Sequence, residues 1–277
     1  IHASAVTASD IFIRSSNLPL RYKIPMRLLL GITKPRRPVI GIVLSGEVES
    51  GGVHIQRFQP GDQVYGLTGF NLGTYAEYTC MKEQDSTRGC LAFKPGNISH
   101  EEATAAAYGG LLALQYMDRG NIQQGQHVVI YGASGTSGTI AVQYAKYLGA
   151  KVTAICGPTN IALVKSLGAD TVLDYTRQHS IPENSSYDFA LDAVGRMKTS
   201  RIKESIKNSL APDAKYVSID DGDLKLNSDR LEKIKNLTEA GHIKPVVDKI
   251  YPVEEIVEAH RYVQKGHKTG GVAISVF

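Results

Sequence analysis

Cysteine is scarce in this chain of 277 residues: three in all, Cys80, Cys90 and Cys156, with no Cys-x-x-Cys pair. An odd, sparse count argues against a disulfide framework and for a reducing compartment. Long apolar runs are missing too, and none reaches the ~18 residues that a membrane span needs. A dense basic stripe is also lacking. The formal charge of +4 is mild, and its one tight cluster, Lys34, Arg36 and Arg37, is broken up by Pro35 and Pro38. That reads as a solvated loop, so no nucleic-acid partner is expected. Residues Ile1 to Val6 have neither a basic start nor a long apolar stretch, so no signal peptide is expected. The chain opens without Met and is expected to begin inside a longer protein. These absences together predict a cytoplasmic protein with no membrane partner. Hydrophobic residues at 42% and charged ones at 21% are ordinary for a globular protein. The length allows one large domain or two, with a core that needs no disulfide or metal to hold it.

What is present changes style along the chain. Up to about residue 100 there are short apolar stretches between Pro and Gly. Pro38 to Ser50 is β-branched, Phe58 to Gly66 carries the turn signal Pro60-Gly61-Asp62, and Gly73 to Cys80 alternates. Each predicts a strand, and many short strands with such turns predict a partly closed barrel. Ser99-His-Glu-Glu102 has the form of a capping box and predicts the start of an Ala-rich helix. From there strands and helices alternate. Strands are expected at Val128–Tyr131, Val152–Ile155, Thr171–Leu173, Phe189–Leu191 and Tyr216–Ile219, with helices at Ile140–Leu148, Ile161–Leu167 and about 199–210. That order predicts a parallel sheet covered by helices on both faces. The segment Leu18 to Ile32, with Met26, Leu28, Leu29 and Leu30, either lines a pocket or packs as a helix.

The sharpest local signal follows the first of these later strands: Gly132-Ala133-Ser134-Gly135-Thr136-Ser137-Gly138, then an apolar helix. Glycine at 135 lets backbone approach a diphosphate closely, Gly138 lets helix and strand pack tightly, and the helix start presents its N–H groups. Glycine-rich turns of this kind also occur for packing alone. Context favours a dinucleotide, since a second strand ends about 20 residues on, where a ribose would sit. No Gly-Lys-Ser/Thr is present, which argues against an ATP-type loop. The second strand runs out through Ile155-Cys156-Gly157-Pro158-Thr159-Asn160 without Asp or Glu. An acid there would accept from an NAD ribose and repel a 2′-phosphate, so its absence tilts the expectation to NADPH, with NADH possible.

With these motifs in view, the sequence resembles the zinc-free, quinone-oxidoreductase-like branch of the medium-chain dehydrogenase/reductase superfamily. The resemblance runs over nearly the whole chain. It rests on Val6-Thr-Ala-Ser-Asp10-x-x-x-Arg14, Phe58 to Tyr65, Gly73-Thr-Tyr-Ala-Glu-Tyr78, Phe93-Lys-Pro95, the Gly132 loop, Ser166 to Asp170, Tyr187-Asp-x-x-x-Asp192-Ala-Val-Gly195, and the tail from Glu258 to Gly270. It implies an α/β protein of two domains. Residues 1–100 and 241–277 would form a GroES-like β-barrel catalytic domain whose first strands precede Ile1. Residues 101–240 would form a Rossmann domain, a doubly wound parallel sheet, with the cofactor in the cleft between the two. It also implies a homodimer. Where zinc-dependent relatives carry Gly-His-Glu, this chain reads Leu44-Ser45-Gly46-Glu47, and it has no four-Cys lobe, so no metal is expected. Thr7 replaces a usual Asn, Leu112 stands where relatives place Thr, and residues 219–230 are shorter than in many relatives.

The chemistry implied is reduction of a small-molecule acceptor that is already electrophilic, a quinone or an alkene conjugated to a carbonyl, because no Lewis acid is expected. Thr7, Asp10, Tyr65, Tyr75 and Tyr108 are candidate hydrogen-bonding groups for the oxygen that gains charge. Packing is an equal alternative for Tyr65 and Tyr75, and a structural acceptor role is the alternative for Asp10. Expected cofactor contacts are Gly132, Ala133, Ser134, Gly135, Thr136, Ser137 and Gly138; Cys156, Thr159, Asn160 and Tyr175 at the adenosine end; Ala193, Val194 and Gly195 by the nicotinamide ribose; and Lys268. Two other readings stay open: an alcohol dehydrogenase-type oxidoreductase, and a non-catalytic cofactor-binding relative.

Overall fold

The computed structural model describes residues 1–15, 31, 36–183, 185–195 and 200–277. The apolar segment expected at 18–32 lies outside the described residues except for Gly31, as does Lys34 of the basic cluster. The chain forms two compact units, one of residues 1–107, 226–235 and 247–277, the other of 108–225 and 236–246. These bounds differ from the seams expected after residues 100 and 240. Residues 226–235 sit with the first unit because Tyr65 donates to the Leu231 carbonyl at 2.6 Å and Arg57 pairs with Glu232 at 2.8 Å. Residues 236–246 sit with the second because the Gln143 amide donates to, and accepts from, the backbone of Lys244 at 3.0 and 2.8 Å.

The first unit carries a six-stranded sheet in the order β10-β11-β1-β2-β3-β4. Its strands are β1 (Ala3–Ala5), β2 (Val43–Glu47), β3 (Gln63–Leu67), β4 (Cys90–Phe93), β10 (Val247–Pro252) and β11 (Gly271–Ser275). All neighbours are antiparallel except β10 and β11, which run parallel. The C-terminal strand β11 thus pairs directly with β1, which ties the tail to the head of the chain. Helix α1 (Ala8–Ser15) belongs to this unit. Beside the sheet, Val6, Ala259, Val263, Val272 and Ile274 form a buried cluster.

One expected strand is not there. Gly73 to Cys80 has no ladder; Thr74 and Tyr75 make only single backbone bonds to Gly41 and Ile40, at 3.4 and 3.1 Å. The chain enters this stretch through Leu72 at φ +57° and Gly73 at φ +89°, a left-handed turn from which an extended strand does not continue directly. Alternating polarity is present, but the backbone that would use it has already turned.

The second unit carries a five-stranded, all-parallel sheet in the order β7-β6-β5-β8-β9. Its strands are β5 (His127–Tyr131), β6 (Lys151–Cys156), β7 (Thr171–Asp174), β8 (Tyr187–Asp192) and β9 (Leu210–Ser218). Val128, Val129 and Ile130 are wholly buried, which is why the central strand reads as an unbroken β-branched run rather than an alternating one. Its described helices are α2 (His100–Met117, which starts in the first unit), α3 (Thr136–Tyr147), α4 (Ile161–Ser166), α5 (Arg201–Asn208) and the end of α6 (Ser228–Glu239); α7 (Ile256–Gln264) is in the first unit. Ser99 and Glu102 form the capping box read from the sequence: each side chain bonds the other residue's backbone N–H, at 3.2 and 2.9 Å. The chain builds β5, β6 and β7 outward, then returns to place β8 on the other side of β5. At such a reversal the loops leaving the two central strands diverge, and a crevice opens at their carboxyl ends.

Candidate functional site

The glycine loop leaves β5 at that reversal. Gly132 has φ +79°, and a Cβ there would lie 2.5 Å from Val194 Cγ2, so neither the turn nor the neighbouring loop admits a side chain. Its N–H and that of Ala133 both donate to the Ile155 carbonyl at the end of β6, at 3.0 and 3.1 Å. Gly135 caps helix α3 in extended conformation, donating to the Gly132 carbonyl at 3.0 Å and receiving Thr139 N–H at 2.9 Å. A Cβ on Gly138 would fall on the Gly132 carbonyl oxygen and within 2.8 Å of Ala133 Cα. The helix start therefore lies flat against the loop. Helix α2 closes in from the other side, where a Cβ on Gly109 would lie 2.5 Å from the Thr136 carbonyl. The first turn of α3 has N–H groups without intrahelical partners and the positive end of the helix dipole. Ala133 and Ser137 are buried, and Ser134, Gly135 and Thr136 are half-buried.

The turn Ala193-Val194-Gly195 leaves β8 beside this loop; Ala193 N–H donates to Tyr131 at 2.9 Å. Asp192, 1% exposed, holds the turn from below and forms an ion pair with Lys203 at 2.8 Å. On the far side, β6 ends at Cys156. Its thiol is buried and pushed up to about 11 by burial and by the nearby Asp174. Thr159 is exposed and Asn160 half-buried in the short helical turn Pro158–Asn160. The Tyr175 ring lies against Gly157, 3.7 Å from where a Cβ would stand, and is edge-on to Tyr131 with centroids 6.4 Å apart.

An acid missing from the β6 loop itself stands one strand over: Asp174 is in register with Cys156. Its carboxylate already accepts Thr176 Oγ1 and N–H at 2.7 and 2.9 Å and lies 3.7 Å from Arg177, and these bonds hold it below the usual carboxylate range. Strand register, not sequence distance, puts it there, so the spacing rule alone misses it.

In the first unit, Thr7 and Asp10 come together as the N-terminal cap of α1. Asp10 Oδ2 accepts Thr7 N–H at 2.8 Å and Thr7 Oγ1 at 2.6 Å. The acceptor alternative for Asp10 is what the geometry displays. Asp10 Oδ1 is buried with no hydrogen-bond partner among the described residues, and burial raises its carboxyl to about 6. Burial and the Asp10 charge push the Tyr75 hydroxyl well up, and it donates to the Ala5 carbonyl at 3.3 Å. Tyr65 is wholly buried and its hydroxyl goes to Leu231, so packing describes it better than substrate contact. Lys268 donates to Gly270 at 2.6 Å, and burial pulls its amine down to about 8. Tyr108 is half-buried on α2, one residue before the Gly109 contact with Thr136.

Among the described residues no group of three or more His, Cys, Asp or Glu could hold a metal. Ser45, at the position read against Gly-His-Glu, bonds His100 Nδ1 at 2.8 Å. Burial, with the Asp85 charge adding to it, pushes the Cys90 thiol up to about 12. No described helix is long and apolar enough to cross a membrane.

Three family models match in succession: the alcohol dehydrogenase GroES-like domain over residues 1–91, and zinc-binding dehydrogenase over 138–220 and again over 222–274. The chain is similar to the NAD(P)H oxidoreductase RTN4IP1, mitochondrial, of Mus musculus: 28% identical, covering 100% of this chain and 80% of that protein. It is also 28% identical to the 2-methylene-furan-3-one reductase of Solanum lycopersicum, over 92% of this chain and 68% of the relative. Among solved structures, the quinone oxidoreductase from Coxiella burnetii shares the fold, with a TM-score of 0.78 at 21% identity, covering 100% of this chain and 89% of the other.

Proposed function

The chain belongs to the medium-chain dehydrogenase/reductase family, quinone-oxidoreductase-like in kind, and from that premise we propose that it reduces a quinone or a carbonyl-conjugated alkene with hydride from NADPH, NADH being the alternative donor, without zinc. The observation that carries the reading is the cradle at Gly132, Gly135 and Gly138. Two of its three glycines sit where a Cβ would fill the space, and the third leaves the helix start bare. That cradle fits a dinucleotide's diphosphate.

When bound, the nicotinamide supplies the hydride. The chain's own residues bind and orient. The N–H groups at the start of α3, with the Thr136 and Ser137 hydroxyls, hold the diphosphate. Ala193, Val194 and Gly195 border the nicotinamide ribose. Cys156 by its backbone, with Thr159, Asn160 and Tyr175, takes the adenosine end. The lack of an acid in the β6 loop and the pairing of Asp174 with Arg177 favour a 2′-phosphate there. On the substrate side we carry forward Tyr108 as donor to the oxygen that gains charge; Lys268 is carried forward as a cofactor contact. Thr7 and Tyr65 have their hydroxyls committed within the first unit. A homodimer in the cytoplasm remains part of the proposal.

The test is calorimetric or fluorescence titration with NADPH and NADH, followed by turnover on a panel of quinones and enones after metal analysis of the protein. Micromolar NADPH binding with turnover by metal-free protein is the expected result. Absence of binding by either nucleotide at near-millimolar concentration overturns the reading.

A further inference from the structure

The turn after β8 owes its shape to Asp192, the last residue of that strand, and to a lysine that lies outside the sequence motif. Asp192 accepts four hydrogen bonds. Its Oδ1 takes the N–H groups of Val194 and Gly195, both at 3.1 Å; its Oδ2 takes the Lys203 ammonium at 2.8 Å and the Tyr216 hydroxyl at 3.1 Å. Lys203 arrives from α5, is 4% exposed, and also donates to the Gly195 carbonyl at 2.7 Å. The same ammonium lies 5.0 Å from the centroid of Tyr131, the last residue of β5 before the glycine loop. One buried cation therefore touches the carboxyl ends of both central strands, β5 and β8. The turn it holds is the one whose Val194 side chain sits where a Cβ on Gly132 would be.

Burying an ammonium and a carboxylate is a poor way to gain stability, since apolar replacements of the same shape often do as well or better. It is a good way to fix one conformation of the groups around them. Here those groups are two backbone N–H donors and a carbonyl of a three-residue turn, at the switch point where the nicotinamide would lie. Hydride transfer depends on the reacting atoms being held within a narrow range of distance and angle.

We propose that Lys203 is a positioning residue for the nicotinamide half of the cofactor, acting through Asp192 and the Ala193–Gly195 turn. The inference rests on the dinucleotide reading above. It predicts a separation that a purely structural role does not. The adenosine half binds at the ends of β6 and β7, away from this turn; the nicotinamide half binds against it.

The experiment compares Lys203→Met, Lys203→Arg and Tyr216→Phe with the unaltered protein. NADPH and its adenosine half, 2′,5′-ADP, are titrated separately, and kcat and KM are measured on a quinone. Lys203→Met is expected to weaken NADPH binding at least tenfold and lower kcat by a similar factor, while 2′,5′-ADP binds within twofold of the unaltered protein. Lys203→Arg is expected to recover part of both losses. Tyr216→Phe, which removes a single donor from Asp192 and keeps the ion pair, is expected to shift NADPH twofold to fivefold and 2′,5′-ADP not at all, and it decides the matter if Lys203→Met does not fold. Equal weakening of both ligands, or no change in either, overturns the proposal. If the unaltered protein binds NADPH and the variants match it, only the positioning role fails. If the unaltered protein binds no nicotinamide nucleotide, the dinucleotide reading fails and the positioning role with it.

Discussion

Glycines 135 and 138 sit in one loop yet answer to different demands, and the difference is measurable. Gly138 has no room: its Cβ would meet the Gly132 carbonyl oxygen and the Ala133 backbone, neither of which is a flexible side-chain end. Gly138→Ala is expected to cost about 1–3 kcal/mol of stability through overpacking, read in chemical denaturation, and to abolish cofactor binding by displacing the helix start. Gly135 has an ordinary φ of −77°, and its Cβ would lie 3.4 Å from the Gly132 oxygen, the one neighbour within 4 Å. Gly135→Ala should therefore melt close to the unaltered protein yet bind NADPH at least about tenfold more weakly, a loss of about 1.4 kcal/mol, because the added methyl would stand in the proposed place of the diphosphate. Equal affinity for NADPH in Gly135→Ala would place the ligand elsewhere. The sequence spacing marks both glycines alike; only the packed loop separates the one with no room for a methyl from the one with room.

Helices were legible where their ends carry local chemistry. Ser99 and Glu102 announce the start of α2 three residues apart, and the structure shows both reciprocal bonds. Ser99→Ala and Glu102→Ala are each expected to lower stability by about 1 kcal/mol, or a few degrees in the melting temperature, since one of the two donors loses its acceptor in each case. A melt unchanged by Ser99→Ala would show that tertiary packing alone fixes the helix start. The parallel strands were legible as apolar runs because burial on both faces removes alternation. Gly73 to Cys80 misled for the opposite reason: its alternation is clear, but Leu72 and Gly73 turn the backbone first. Lys203 was missed because a lysine on a short helix ordinarily reads as solvated. The one available signal was its place between Ile202 and Ile206, which put a cation on the apolar stripe of α5. Asp192 was readable as part of a motif, but its partner is 11 residues further on and reaches it only through the fold.

The change of style near residue 100 is a local signal, while the grouping of residues 236–246 with the second unit depends on contacts such as Gln143 with Lys244 that no local pattern reveals. Stability on the acid side also belongs to this scale, because groups in the first unit pull it in opposite directions. Burial lowers His100, with His2 and Lys94 adding to it, and burial lowers His260, with Arg14 adding to it; both fall to about 4 from an ordinary 6.5. In the unfolded chain both bind protons on acidification before they do when folded, so their contribution, complete above pH 6.5, is lost as pH falls toward 4. Asp10 works the other way. Raised by burial to about 6 from 3.8, it binds its proton more readily in the folded chain, so its contribution is complete below 3.8 and is lost as pH rises through 6. Two groups oppose one across the shared window, and the net result is a fall in stability as pH drops from 6.5 to 4. Below that, Asp170 and Asp174, both held under the usual carboxylate range by hydrogen bonds, extend the fall. Urea denaturation at half-unit steps between pH 4 and 7 reads the slope. His260→Gln should flatten it, and Asp10→Asn should steepen it whatever either variant does to stability at pH 7. A slope in Asp10→Asn no steeper than in the unaltered protein would mean that the Asp10 carboxyl is ionised at its ordinary pH and that its buried, unpartnered oxygen is reached by water.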